Sequence, residues 1–521
     1  MSLTDLLLIM PVIMLPVFGL VVLILGVVAD RFPNGRINHW LPPEYLSLAL
    51  ITPTIFIAGA ALWGTLAQPI LGTTMPTWIR DVLTIDPFAA FLSLAAIIGT
   101  GTVMVLSLEY FGDHNTRHRS EFFALLFFAT TGIVIATAAC DFLLLYLAIE
   151  LLSLSSYVLA AYWKNDAKSS EAGIKYFIFG ALCSAIMLYG MSMLFGLVGS
   201  TSFAQLASAL ASGDVPSTTA TWAAVLMVFA GLGFKLALVP FHLWAPDVYE
   251  GAPTPISAWL SVSSKAAGIA VVTRFLFASV PQSSGIDWYW MLVVLSAVSM
   301  TLGNLTAITQ KNIKRMLAYS SIAQVGYMMI GLLAAASVRG NILMHETAKS
   351  AVISTGNSAD TGLSGLLIYA AAYLFMNLGA FAVVIAVERK RESAEIEKFS
   401  GLASASPFLA GAMVVFFMSL AGIPPTAGFL GKFYVFAAAI ESARSELMVL
   451  AIIGIANSVI SVYYYFNVVR VMFMKESEPK TLTASRTTAA VVALMLILTI
   501  GLGLAAQPIA RLALSAISPG V

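Results

Sequence analysis

The stretch GLGFKLALVPFHLWAPDVYEGAPTP at 231–255 decides how this chain folds. It starts as an apolar helix, places Lys235 in the middle of it, and meets Pro240 five residues later. A second stretch, SLAGIPPTAGFLGKFYVF at 419–436, has the same ingredients, with Lys432 seven residues after Pro425. Proline lacks a backbone donor and clashes with the carbonyl four residues earlier. Pro240 therefore frees the carbonyl of Leu236, and Pro425 that of Ala421. Two more ionisable residues stand alone in apolar runs: Glu150 in DFLLLYLAIELLSLSSYVL and Lys265 in SVSSKAAGIAVV. A charge at the centre of a membrane-spanning helix costs roughly 2.5–3.5 kcal/mol on insertion scales, so four of them mark function.

The rest of the chain supplies the membrane. Of its 521 residues 59% are hydrophobic and 10% charged, against about 25% charged in a soluble domain. Mean hydropathy is +0.91. Windows of about 20 apolar residues give fourteen spans, near 5–29, 44–68, 84–109, 119–138, 141–163, 171–198, 220–245, 254–280, 287–309, 314–336, 363–387, 406–440, 447–473 and 487–511. The expected fold is an all-α polytopic membrane protein in one helical bundle. The N-terminal run lacks a basic leader and reads as a first span. Residues 203–211 suit a short surface helix, and 337–361 an exposed loop. A net charge of +1 gives no reason to expect a nucleic-acid partner. The two cysteines, Cys140 and Cys183, form no CxxC or Cys/His cluster and read as small apolar residues.

Charge placement orients the bundle. Loops after odd-numbered spans hold seventeen lysines and arginines, among them Arg31, Lys164, Lys311, Arg389 and Lys475. Loops after even-numbered spans hold four: Arg80, Arg339, Lys349 and Arg444. The positive-inside rule then puts the first set in the cytoplasm and both termini outside. Arg274, near the outer end of the eighth span, is expected to snorkel to the interface.

Spans four to eight and nine to thirteen form two blocks of five, and an odd number inverts the second. The chain thus divides into 1–110, three N-terminal spans; 111–281 and 282–476, the two inverted repeats; and 477–521, a last span. The fourth span of each block is the broken one and carries a lysine. Paired broken helices in inverted repeats point to an ion pathway at the midplane. Prolines also kink packed helices without further purpose, but a lysine at both breaks favours the pathway.

Glu150 and Lys235 sit midway along their spans and can pair across the bundle. Desolvation and a carboxylate neighbour act on a lysine in opposite senses, which makes such a pair a switch. Lys265 lies among small residues that admit water or another helix. His242, just past Pro240, can accept and donate a proton near neutral pH; a structural histidine is the plainer alternative. Lys175, in the first turns of the sixth span, is either part of a relay or a snorkelling residue. The stretch MLAYSSIAQVGY at 316–327 is polar but has no acid to match Glu150.

The segments KLALVPFHLWAPDVYEGAPTPISAWLSVSSKAAG (235–268), NLTAITQKNIKRMLAYSSIAQVGYMMIGL (304–332) and AGIPPTAGFLGKFYVF (421–436) resemble the antiporter-like membrane subunits of respiratory complex I. The likeness runs from about Tyr110 to Phe473 and is greatest for subunit N of the bacterial proton-translocating NADH–quinone oxidoreductase. It implies that Glu150, Lys235, Lys265 and Lys432 transfer protons, with Lys175 and His242 in a hydrated relay between them. It implies no cofactor in this chain, with NADH, FMN, iron–sulfur clusters and quinone held by partner subunits of complex I. It implies a bacterial inner membrane, with the lipid bilayer and other membrane subunits as neighbours. Subunits of multi-subunit sodium–proton antiporters and of the ferredoxin-linked photosynthetic counterpart are similar, and both stay open at this point.

Overall fold

The computed structural model describes residues 3–31, 42–67, 76–112, 119–214, 219–280, 287–344, 356–475, 482 and 484–517. Three helices come first: α1 (Leu3–Arg31), α2 (Pro43–Ala67) and α3 (Pro87–Gly112). Next are α4 (Arg119–Ala138), α5 (Phe142–Ala160) and α6 (Ala167–Val198). The seventh span is split into α7a (Thr219–Leu236) and α7b (Trp244–Gly251), and α8 (Thr254–Arg274) continues as a π-helical turn, Phe275–Ser279. Then follow α9 (Trp288–Ile308), α10 (Ile313–Met344) and α11 (Gly356–Arg391). The twelfth span is again split, into α12a (Pro407–Ala421) and α12b (Ala427–Glu441). The last two spans are α13 (Ser445–Met474) and α14 (Arg486–Leu504), and a short helix, Ala506–Ser515, follows them.

Among the described residues, 13 helices are long and apolar enough to cross a membrane. The two halves of α12, 15 residues each, supply the fourteenth span in pieces. The chain is a multi-pass membrane protein. Helix ends follow local chemistry. Asp141 caps α5 by accepting from Leu143 N at 2.8 Å and Leu144 N at 3.1 Å, so only three residues separate α4 from α5. The surface helix expected near 203 is present as Phe203–Ser212.

The loop expected at 337–361 is shorter than the sequence suggested. α10 runs on to Met344, with no proline in 337–344 to stop it, and α11 starts at Gly356; residues 345–355 lie outside the described ones.

α4 lies on α5 and α9 on α10, while α6 packs mainly on the first half of its broken neighbour, α7a, and α11 mainly on the second half of its own, α12b. α8, α10 and α11 are enclosed almost completely, whereas α1, α2, α6 and α14 turn residues such as Leu20, Phe56, Phe177 and Ile497 outward. Exposed apolar faces of this extent suit lipid or a neighbouring membrane subunit.

Candidate functional site

Both breaks fall beside a buried lysine. At the first, α7a ends one residue past Lys235, and Ala237 takes a left-handed φ of +57°, which costs a residue with a side chain roughly 1–2 kcal/mol. The turn is fastened from two sides: Trp244 Nε1 donates to Phe234 O at 3.0 Å, and Val239 N to Ser299 Oγ at 3.1 Å. Lys235 is only 5% exposed, and among the described residues its Nζ has no hydrogen-bond partner. Aromatic rings surround it instead. The centroids of Phe234, Tyr157 and Tyr176 lie 5.7–5.8 Å away, a range in which ring faces attract a cation.

The second break answers the charge differently. α12a stops at Gly422, whose φ of +89° only glycine adopts without strain. Lys432, 4% exposed, reaches back across the gap. Its Nζ donates to Leu420 O at 3.2 Å, Ala421 O at 3.0 Å and Ser458 Oγ at 3.1 Å. The Ala421 carbonyl is the one that Pro425 was expected to free. The Tyr327 ring covers the fourth side at 4.4 Å.

Lys265, 3% exposed, occupies the middle of the bundle and donates to Ser321 O on α10 at 2.9 Å. From there α10 carries a chain of polar groups to the second break. Ser320 Oγ and Tyr465 Oη are 2.5 Å apart, Gln324 Nε2 lies 3.5 Å from Tyr465 Oη, and the same Nε2 donates to Leu420 O at 3.0 Å. Leu420 O is also a Lys432 acceptor, so Gln324 links α10, the helix that holds Lys265, to Lys432. Tyr369 donates to Gln324 Oε1. Gln324→Leu leaves the Tyr369 hydroxyl without this acceptor, at a cost of roughly 1–3 kcal/mol. The expected result is a lower thermal midpoint for detergent-solubilised protein than for Gln324→Glu, which keeps the acceptor.

The other expected site residues are placed as follows. Glu150 does not ion-pair with Lys235; its carboxylate accepts from Ser184 Oγ on α6, and it acts on Lys235 through space. Tyr157 and Tyr176 take the positions next to the ammonium that the pairing would have needed. Lys175 is not among the buried groups. Its side chain is 38% exposed and pairs with Glu171 at 2.7 Å and Asp247 at 2.6 Å. Asp247 also binds Arg315 of α10, so this surface cluster ties α7b to α6 and α10. His242 is buried in the α7 turn, and among the described residues no hydrogen bond joins it to Lys265. Arg274 does not snorkel. It is 5% exposed and pairs with Asp86 at 2.5 Å, because α8 is covered at that level by α3 and α4.

Sequence reasoning missed Gln324, Tyr465 and Tyr369 as members of the site. The signal was present in the uncharged polar stretch 316–327, which supplies the bridge in place of an acid.

Residues 138–360 and 350–461 match the family described as NADH:quinone oxidoreductase/Mrp antiporter, transmembrane. This chain belongs to that family. A relative named NADH-quinone oxidoreductase subunit N, from Trichlorobacter lovleyi, is 38% identical over 471 residues, 90% of this chain and 88% of its own length. Among solved structures, a chain of respiratory complex I from Thermus thermophilus with bound aureothin is similar with a TM-score of 0.73 and 29% identity, covering 96% of this chain and 99% of that one. A chain of the Mrp complex from Dietzia sp. shares the fold at TM-score 0.76 and 20% identity, with 99% and 97% covered. The NADH:quinone oxidoreductase/Mrp family match spans both broken helices, so the two lysine-bearing breaks lie inside the shared region.

Proposed function

We propose that this chain is the subunit N-type, proton-translocating membrane subunit of an NADH–quinone oxidoreductase. The observation that carries the reading is the buried row itself: Lys235 with no hydrogen-bond partner among the described residues, Lys265 on Ser321, and Gln324 joining that helix to Lys432. Buried polar groups ordinarily have partners. Along this row, among the described residues, Lys235 Nζ has none, which makes water its natural partner. A proton loads through Lys235, crosses by Lys265 and His242 with intervening water, and leaves through Lys432. Glu150, acting through space, sets how readily Lys235 holds its proton. The blocks 111–281 and 282–476 are read as inverted repeats, flanked by 1–110 and 477–521. Both termini are assigned to the periplasmic side of the inner membrane. Redox chemistry with NADH, FMN, iron–sulfur clusters and quinone is assigned to partner subunits, and this chain works as a non-redox part of the translocase.

Moving one charge against 100 mV costs about 2.3 kcal/mol, so the driving change must reach the lysines from neighbouring chains. Lys235→Ala and Glu150→Ala are expected to assemble and to oxidise NADH with fewer protons pumped per electron. Membrane vesicles with a fluorescent pH-gradient dye measure this against oxygen consumed. Unchanged pumping in an assembled Lys235→Ala complex overturns the proposal. Co-migration of the chain with antiporter subunits only, on a native gel read by mass spectrometry, moves it to the sodium–proton antiporter branch of the family.

A further inference from the structure

Behind Lys432 lies a cluster of buried amides and phenols that the proton row does not use. Asn304 of α9 is fully buried, and both polar atoms of its side chain are partnered. Its Nδ2 donates to Met300 O at 2.8 Å, Tyr327 Oη at 3.0 Å and Asn457 Oδ1 at 3.4 Å. Its Oδ1 accepts from Tyr464 Oη at 2.9 Å. Asn457 of α13 is fixed in turn, donating to Ile453 O at 3.0 Å and Thr301 Oγ1 at 3.2 Å. A buried amide is costly unless every partner is in place, and a fully satisfied network is rigid. Leucine would pack α9 on its neighbours without that cost.

One of these bonds reaches the site. Tyr327 of α10 is fully buried, and its ring centroid lies 4.4 Å from Lys432 Nζ, the shortest cation-to-ring distance among the described residues. The rings around Lys235 stand off at 5.7–5.8 Å. Two contacts hold the Tyr327 ring. Asn304 holds its hydroxyl and so fixes the long axis of the ring. Phe436, one turn beyond Lys432 on α12b, meets the ring edge-on, with centroids 6.3 Å apart and planes at 80°, and so fixes its plane. With axis and plane both set, the ring face stays on the ammonium. The carbonyls of Leu420 and Ala421 and the Ser458 hydroxyl can accept from either form of the lysine. A ring face attracts the cation through its quadrupole, so its contribution lasts only while the proton is there.

We infer that Asn304 is a positioning residue for proton transfer at Lys432: it anchors the Tyr327 hydroxyl so that the ring face supports the protonated lysine. No proton passes through Asn304; the anchored ring sets how firmly Lys432 holds its own. The inference rests on the proton-translocating reading above. The titratable side chains that adjoin Lys432 from the helices around it are tyrosines: Tyr327 on α10, Tyr369 on α11, and Tyr464 and Tyr465 on α13. α12a has no titratable residue, and α14 only Arg486 at its start. A free tyrosine titrates only near pH ~10. An alkaline loss of pumping that follows the Tyr327 anchor therefore reports on Lys432.

The test uses the whole complex in membrane vesicles, with protons pumped per electron followed across pH. Tyr327→Phe keeps the ring and leaves Asn304 Nδ2 two acceptors, Met300 O and Asn457 Oδ1, so it is expected to assemble. Asn304→Leu breaks the same bond from the other side. Tyr327→Leu removes the ring face and is expected to move the alkaline limb of pumping down by about one pH unit, the size of a cation–ring contact. Tyr327→Phe and Asn304→Leu are expected to move it part of the way, and the double variant N304L/Y327F to match Tyr327→Phe. An unmoved limb in assembled Tyr327→Phe, or a further loss when Asn304→Leu is added to it, overturns the inference. Where Lys432→Arg has lost pumping in the same membranes, the translocation reading survives that result. Normal pumping in Lys432→Arg and in all the Tyr327 and Asn304 variants overturns both. If Asn304→Leu does not assemble, Tyr327→Phe decides, and failure of Tyr327→Phe as well identifies a structural clamp and overturns the inference.

Discussion

Lys432→Ala is expected to abolish the proton pumping assigned to this subunit and to loosen the α12 break at the same time. The ammonium holds the carbonyls of Leu420 and Ala421 and the Ser458 hydroxyl, at 3.0–3.2 Å. Leu420 O keeps Gln324 as a donor after the substitution, but no other hydrogen bond to Ala421 O is present among the described residues. A buried carbonyl left bare costs roughly 1–3 kcal/mol, and the space vacated by the side chain adds to this. Structure and transport are therefore confounded in the alanine variant, and Lys432→Arg separates them. Arginine keeps the charge and the donors for the carbonyls, but does not give up its proton. An assembled Lys432→Arg complex with a normal thermal midpoint and lost pumping is the expected result. If it pumps normally, Lys432 is a cap for the break and takes no part in proton transfer.

The same residue shows how far a sequence can be read here. Pro425 removes a donor by covalent chemistry, so the free carbonyl of Ala421 was legible from position alone, and the lysine found it. Span positions were legible for a similar reason, since the hydrocarbon core admits only helices whose backbone is satisfied internally. Side-chain partners across the bundle were not. Glu150 and Lys235 sit at matching depths, yet the rotation of α5 and α6 gives the carboxylate to Ser184 and puts Tyr157 and Tyr176 beside the ammonium. Rotation depends on how neighbouring helices interlock, which local composition does not encode. Arg274 failed for the same reason: a long side chain near a span end snorkels only if no other helix covers it. Gln324 is the opposite case. Its stretch looked inert because it lacked an acid, while the site asked for a neutral group able to accept and donate at once, as an amide does.

Gly428→Ala is the second large effect, and its sign runs against helix propensity. Within a helix, glycine is less favourable than alanine by roughly 0.5–1 kcal/mol, so propensity alone predicts a gain in α12b. Position 428, however, is where the two halves of α12 cross. A Cβ there meets Ser419 O at 1.9 Å and its carbonyl carbon at 2.7 Å, both backbone atoms with no rotamer to yield. Gly428 N already donates to Ser419 Oγ at 3.0 Å, so the halves are drawn together at that point. Forcing them apart moves the next two carbonyls, Leu420 and Ala421, away from Lys432 Nζ. Overpacking of this kind typically costs 1–3 kcal/mol and occasionally more. Gly411→Ala in α12a is the control, because no atom lies within 4 Å of a Cβ at that position, and it is expected to hold or raise the thermal midpoint. A lower midpoint and weaker pumping for Gly428→Ala alone locate the cost at the crossing. Equal behaviour of the two variants means that the carbonyls reach Lys432 without the close approach, and that the break is held by its prolines instead.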